Sequence, residues 1–198
     1  FKKQLVFPTH SLHMPFSPSS KIADNLRYGA ARAHNRHMAD FCSVDDRLMG
    51  VAAIPLENPE LALQEVQWSL DNGLDAMWVP HRLAGERSPT HLDFNPIWAL
   101  LQEAQVPLVF HVGGNPLQLP PAWNNNGRTV TKDWMGGGEN VRARDAAVMH
   151  QGIETFISMF VLDGVLEDFP DLKFASVELG AGWVPEMIVR LDHIHKAY

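Results

Sequence analysis

Five short apolar runs, each closed by a proline or a polar residue and each followed by a stretch with helical spacing, constrain this 198-residue chain more than any other feature. The runs cover residues 4–7, 47–54, 74–79, 107–111 and 172–178, which gives the order βαβαβαβαβα. Strands this apolar, alternating with helices, pair in parallel, because each crossover helix returns the chain to the same end of the sheet. Helix starts are marked at Asn58-Pro59-Glu60 and Asn95-Pro96, with proline in the first turn, and Gly73 marks a stop. Further helices are predicted over residues 21–45, over 140–167 with breaks at Gly152 and Gly164, and from Pro185 onward. Residues 113–139, rich in Gly, Asn, Pro and Trp, form a connection long enough to act as a lid or a subunit contact.

A parallel sheet with alternating helices is either doubly wound or closed into a barrel. Polar groups recur at the ends of successive strands, and no Gly-x-Gly-x-x-Gly follows the first strand, so the (β/α)8 TIM barrel is favoured. A closed barrel needs eight strands, so the chain is expected to be the central part, about strands 2–6, of one barrel domain over 1–198 that is incomplete at both ends. The chain opens on Phe1-Lys2-Lys3 and stops in mid-helix, which fits that expectation. An open five-stranded sheet with a nucleotide site is the other reading; the missing phosphate loop and the negative charge oppose it.

Composition narrows the partners. At 45% hydrophobic the chain buries a core of ordinary size. A net charge of −7, with scattered Lys and Arg, excludes a nucleic-acid or anionic-membrane surface and leaves a small molecule or a second copy of the chain. No run reaches the ~20 apolar residues of a membrane span. The lone Cys42 rules out an internal disulfide, suits a reducing, cytoplasmic setting, and reads as an inert thiol.

All strand C-termini of a parallel sheet lie on one face, so His10, His81, His111 and Glu178 would ring one mouth. Imidazole and carboxylate are the donors that hold a borderline divalent cation while leaving a position for water. His111 ends an apolar run and opens a glycine-rich loop, and Glu178 stands at the same point of the next strand. Arg82, beside His81, is a candidate clamp for a substrate carboxylate. His10 and His13 follow a proline in a loop; Trp123 and Trp134 are candidates for a lid over the pocket or for a subunit contact. Gly136-Gly137-Gly138 lacks the Lys-Ser/Thr of a phosphate cradle. Trp183 reads as helix-to-barrel packing, and Arg190 with Asp192 as a structural ion pair or helix contact; His193 and His195 do not share a helix face.

The runs Pro107-Leu-Val-Phe-His111-Val-Gly-Gly114, Gly164-Val-Leu-Glu-Asp-Phe-Pro-Asp-Leu-Lys-Phe-Ala-Ser-Val-Glu178-Leu-Gly-Ala-Gly-Trp183 and Arg190-Leu-Asp192 resemble the amidohydrolase-related family, in the branch of aminocarboxymuconate-semialdehyde decarboxylase and the aromatic-acid decarboxylases. The resemblance implies a metal-dependent barrel, commonly dimeric, with Zn or Mn at its C-terminal mouth. It gives His111 the part of the metal-ligand histidine at the end of strand five. Glu178 departs from the pattern, occupying the strand-six position where the decarboxylases carry a second histidine that handles the catalytic water or proton. The family's His-x-His on strand one and Asp on strand eight have no counterpart in the chain, and His10-Ser11-Leu12-His13 has the wrong spacing to supply the first.

Two function classes follow. One is a metal-dependent enzyme acting on a small carboxylated or cyclic substrate, either a non-oxidative decarboxylase or a hydrolase, in which Glu178 and His81 act catalytically, Arg82, His10 and Trp123 bind substrate, and His111 holds the metal. The other is a barrel that binds a ligand or partner without catalysis, its metal set being incomplete.

Overall fold

The structure, a computed structural model, describes residues 1–7, 21–112, 119–128 and 143–198. Five strands, β1 (Gln4–Val6), β2 (Leu48–Ala53), β3 (Ala76–Trp78), β4 (Leu108–His111) and β5 (Phe174–Val177), form one sheet. Every neighbouring pair is parallel and the order is β1-β2-β3-β4-β5. A doubly wound sheet reverses its strand order at a switch point. This sheet never does; it is a curled, barrel-type wall of five strands from a (β/α)8 fold.

The helices are α1 (Asp24–Cys42), α2 (Pro59–Asp71), α3 (Asn95–Ala104), α4 (Ala143–Ala146), α5 (Gln151–Leu162), α6 (Val165–Asp168) and α7 (Trp183–Ala197). The proline-marked starts hold: Asn58 caps α2 by accepting from the Glu60 and Leu61 amides at 3.1 and 3.2 Å, with Pro59 in the first turn. Two boundaries differ from expectation. Gly152 lies buried inside the first turn of α5, so that break falls before it, whereas Gly164 does interrupt the chain, at φ +79°. Helix α7 begins at Trp183, taking Pro185 into its first turn, where a missing amide does no harm.

Strand pleating sorts the core into two faces. Ala52, Ile54, Met77, Val79, Leu108 and Phe110 pack with Val66, Trp98, Leu101, Phe156 and Phe160 of the helices. The alternate residues Val51, Ala53, Ala76, Trp78 and Val109 form a second cluster with Ala175 and Val177, on the face that lines a barrel's interior. In the row Ala53–Trp78–Val109–Ala175 one indole is flanked by small residues, which gives its bulk room.

Backbone pairing of β1 with β2 stops at Val6–Gly50. Beyond it, α1 supplies the partners: Asn35 accepts from the Ala53 amide at 2.8 Å and donates to the Ala53 carbonyl at 3.2 Å, and His34 Nε2 lies 3.3 Å from the Val51 carbonyl. A side-chain carboxamide thus stands in for a strand's peptide unit. The close approach of helix to strand requires Gly50, where a Cβ would sit 2.6 Å from Leu74 Cδ2 and 3.0 Å from Met38 Cγ. Cys42 is half-buried against the Met38 sulfur at 3.7 Å, and burial pushes its thiol up, as an inert thiol requires.

Asn35→Ala leaves both polar groups of Ala53 buried and unpaired, and is expected to destabilise the fold by about 2–3 kcal/mol. Urea unfolding checks this; an unshifted midpoint would mean that the carboxamide does not serve as the strand's partner.

Candidate functional site

His111 is the last residue of β4 and follows Val109 on the interior face. It is 8% exposed, and its ring lies 4.9 Å from that of Phe7, on the same face. Its Nδ1 donates to the Val112 carbonyl at 2.8 Å, since a carbonyl can only accept. In the ring's neutral form the proton sits there and the Nε2 lone pair turns outward, the tautomer that a backbone carbonyl imposes on metal-binding histidines.

The β4–β5 ladder pairs His111 with Val177, which brings the next residue, Glu178, beside the imidazole. Glu178 Oε2 lies 3.6 Å from His111 Nε2. Two lone-pair atoms at that distance are beyond hydrogen-bond range. Two ligands of one tetrahedral ion, each about 2.0–2.2 Å from it, lie roughly 3.3–3.6 Å apart, so the pair has the span of two donors to a single cation. Glu178 also adopts φ +59°, a left-handed conformation that disfavours side chains, and its carboxylate is 55% exposed at the mouth. Among the described residues no group of three or more His, Cys, Asp or Glu side chains could hold a metal ion, so the His111–Glu178 pair does not make a metal site by itself.

His81 lies just past β3, buried edge-on against Phe110 with ring centroids 6.0 Å apart, and its Nδ1 has no hydrogen-bond partner among the described residues. Phe110 belongs to the helix-facing core, so His81 packs against that core just beyond the end of β3. Burial, with a smaller contribution from the charge of His111, pushes its imidazole down to about 4.

Arg82, expected as a carboxylate clamp, already holds a carboxylate of this chain. Its Nη2 lies 3.0 Å from Glu57 Oε1, and its Nη1 donates to the Leu83 carbonyl at 2.8 Å. Arg27 of α1 reaches the same Glu57 oxygen at 3.2 Å. Beside them the Tyr28 hydroxyl lies 2.9 Å from the Pro55 carbonyl and 2.8 Å from that of Asn58, and accepts from the Asn58 amide at 3.0 Å. This buried knot fastens the mouth ends of β2 and β3 to α1. Sequence reasoning passed over Glu57; its signal was a carboxylate two residues beyond the proline that ends β2.

Trp123 is 66% exposed, and its carbonyl accepts from Arg144 at 3.3 Å. His10, His13, Trp134 and Gly136-Gly137-Gly138 lie outside the described residues. Arg190 and Asp192 do not pair with each other: Arg190 reaches across to Glu154 of α5 at 2.6 Å, and Asp192 holds Lys196 at 2.5 Å, because a helix puts neighbours at i+4 rather than i+2 on one face. His193 and His195 are exposed. A groove of about 560 Å³ runs between α5 and α7, lined by His150, Glu154, Trp183, Met187 and Arg190, and does not include His111. No described helix is long and apolar enough to cross a membrane.

Comparison with known proteins agrees with the architecture. The chain is 27% identical over 177 residues to gamma-resorcylate decarboxylase of Rhodococcus jostii strain RHA1, an alignment covering 82% of this chain and 48% of that protein. Its fold matches an amidohydrolase of Mycobacterium avium subsp. paratuberculosis K-10 with a TM-score of 0.79 at 23% identity, over 99% of this chain and 49% of the other. It also matches a dihydroxybenzoic acid decarboxylase of Polaromonas sp. JS666, crystallised with manganese and the inhibitor 2-nitroresorcinol, with a TM-score of 0.58 at 22% identity over 78% and 45% of the two chains. The chain spans about half the length of the curated relative it matches. The model of the amidohydrolase family matches residues 16–198, and with the sequential parallel sheet and the histidine at its mouth, this chain belongs to that family.

Proposed function

We propose that this chain carries part of the metal centre of a barrel enzyme that removes carbon dioxide, without oxidation, from a small aromatic carboxylate. The observation that carries the reading is His111 Nε2 facing Glu178 Oε2 at 3.6 Å, with His111 Nδ1 already engaged by the Val112 carbonyl. The choice of reaction is supported by the resemblance to a gamma-resorcylate decarboxylase and to a manganese-bound dihydroxybenzoic acid decarboxylase. His111 and Glu178 would contribute two donors to a divalent ion, Zn or Mn, alongside at least one further protein ligand. When bound, such an ion supplies Lewis acidity toward the substrate's carboxylate and an adjacent oxygen. Through the carboxylate oxygen left free by the ion, Glu178 would take a proton from solvent and deliver it to the ring carbon as carbon dioxide leaves, so that one carboxylate and one proton become arene and carbon dioxide. His81, held neutral, backs His111 without adding charge. Arg82 shapes the mouth through Glu57 and reaches a substrate carboxylate only by sharing itself between the two.

Hydrolysis is the second reading, favoured by one observation: residue 178 is a carboxylate, which suits a general base toward water better than an imidazolium's proton-donating part. Exposed Trp123 and Leu83 suit burial between two copies, so a homodimer is proposed, and the half-buried, unpaired Cys42 suits the cytoplasm.

The full-length protein is expected to bind about one Zn or Mn ion. His111→Ala should abolish binding, as read by plasma mass spectrometry after dialysis; wild-type protein that stays folded and takes up neither metal would end the metalloenzyme reading. Glu178→Gly, which relieves the left-handed backbone, should raise stability by roughly 1 kcal/mol while weakening metal binding. Loss of both together would make residue 178 structural.

The His81 pKa lies below its unfolded value of 6.5, so the unfolded chain binds the proton more tightly, and stability falls as pH drops from 6.5 toward about 4. The loss from this group is on the order of 3 kcal/mol. His81→Gln should flatten that part of the profile of urea midpoint against pH; an unchanged slope would mean that His81 is not desolvated.

A further inference from the structure

We propose that Trp183 is a positioning residue for Glu178, its indole N–H pinning the turn that holds the carboxylate against His111. The inference rests on the reading of His111 and Glu178 as a working pair and names the device that keeps them together. Glu178 and Gly180 are both left-handed, at φ +59° and +67°, with buried Leu179 between them. A turn with two such residues in three does not hold its shape unaided when one of them carries a side chain. The Trp183 Nε1–H is shared between the carbonyls of Leu179 at 3.2 Å and Gly180 at 3.0 Å, so a single donor ties down the Leu179–Gly180 and Gly180–Ala181 peptide units, the second and third after the Glu178 α-carbon.

The indole is itself held from both helices. Trp183 is the first residue of α7, so its backbone moves with that helix. His150, ahead of α5, stacks on its ring at 6.4 Å and 22°. Glu154 of α5 accepts from Arg190 of α7 at 2.6 Å and lies 3.8 Å from His150 Nε2. The clip joins the two helices that carry the indole and its stacking partner, whereas the indole N–H alone holds the turn and, through it, the carboxylate. Among the described residues no hydrogen bond or ring contact joins Trp183 to His111; it acts through the turn that carries Glu178.

The test uses the metal-free full chain with ¹⁵N-labelled histidine. The Nε2 resonance of His111 reports the neighbouring carboxylate and should shift in Glu178→Gln. Trp183→Phe, which keeps the ring and removes the N–H, should shift it in the same direction. Arg190→Ala, which breaks the helix clip but leaves the indole–carbonyl contacts, should lower Tm and leave the resonance in place. A Trp183→Phe protein that only loses Tm overturns the proposal, as does a Glu178→Gln protein whose His111 resonance stays put, because there is then no pair to hold. Should Trp183→Phe fail to fold, wild-type indole exchange decides: the Trp183 N–H should exchange roughly tenfold more slowly than that of exposed Trp123, and equal rates would overturn the anchor. Mn²⁺ uptake by wild type and His111→Ala, followed by electron paramagnetic resonance, is read separately. Its failure would remove the metalloenzyme reading while the histidine and indole signals still decide the role of Trp183.

Discussion

The register between β4 and β5 governs the mouth of this structure. Parallel strands bring residues to the same level only through their ladder, and here the ladder sets His111 beside Val177 and so puts residue 178 within reach of the imidazole. A slip of one residue would turn His111 toward the helices and Phe110 toward the interior. What fixes the register is apolar: Phe110 packs against Phe156 and stacks with Phe174, rings 5.1 and 6.0 Å away, and those contacts exist only in this alignment. The chemistry at the strand ends is therefore positioned by aromatic packing on the opposite face of the same strands.

Around that register, buried polar groups do the local fastening. The two guanidiniums of Arg27 and Arg82 converge on one oxygen of Glu57, and Arg32 with Asn35 engages Glu65 between α1 and α2. Groups of this kind contribute little net stability against well-packed apolar residues, but removing one partner strands the others in a dry environment. Their effect is to fix geometry: they determine where the loops beyond β2 and β3 run.

Much of this was legible in the sequence, for identifiable reasons. The five strands announced themselves as apolar runs ended by Pro8, Pro55, Pro80, His111 or Glu178, and Asn58-Pro59 and Asn95-Pro96 marked helix starts because proline's fixed φ acts locally, joined at Asn58 by a capping side chain. His111 and Glu178 stood out because a strand end fixes where its last side chain goes. Partnerships across the chain were not legible. Nothing near Arg82 in sequence points to Glu57, 25 residues upstream, and nothing near Arg190 points to Glu154 rather than Asp192. The inward or outward turn of His81 depends on pleat parity continued past the strand through Pro80, which composition does not carry.

The carboxamide of Asn35 gives the wall between β1 and β2 a different mechanical character from the rest of the sheet. Elsewhere, opening a seam means breaking a backbone ladder. At Ala53 the seam is closed by one rotatable side chain on a helix, so it can part when α1 lifts, with β2, β3 and β4 still joined. In hydrogen exchange the Ala53 amide would then count as a member of the α1 unit and not of the strand it sits in, opening on the timescale of a helix detaching from the wall rather than of the sheet coming apart.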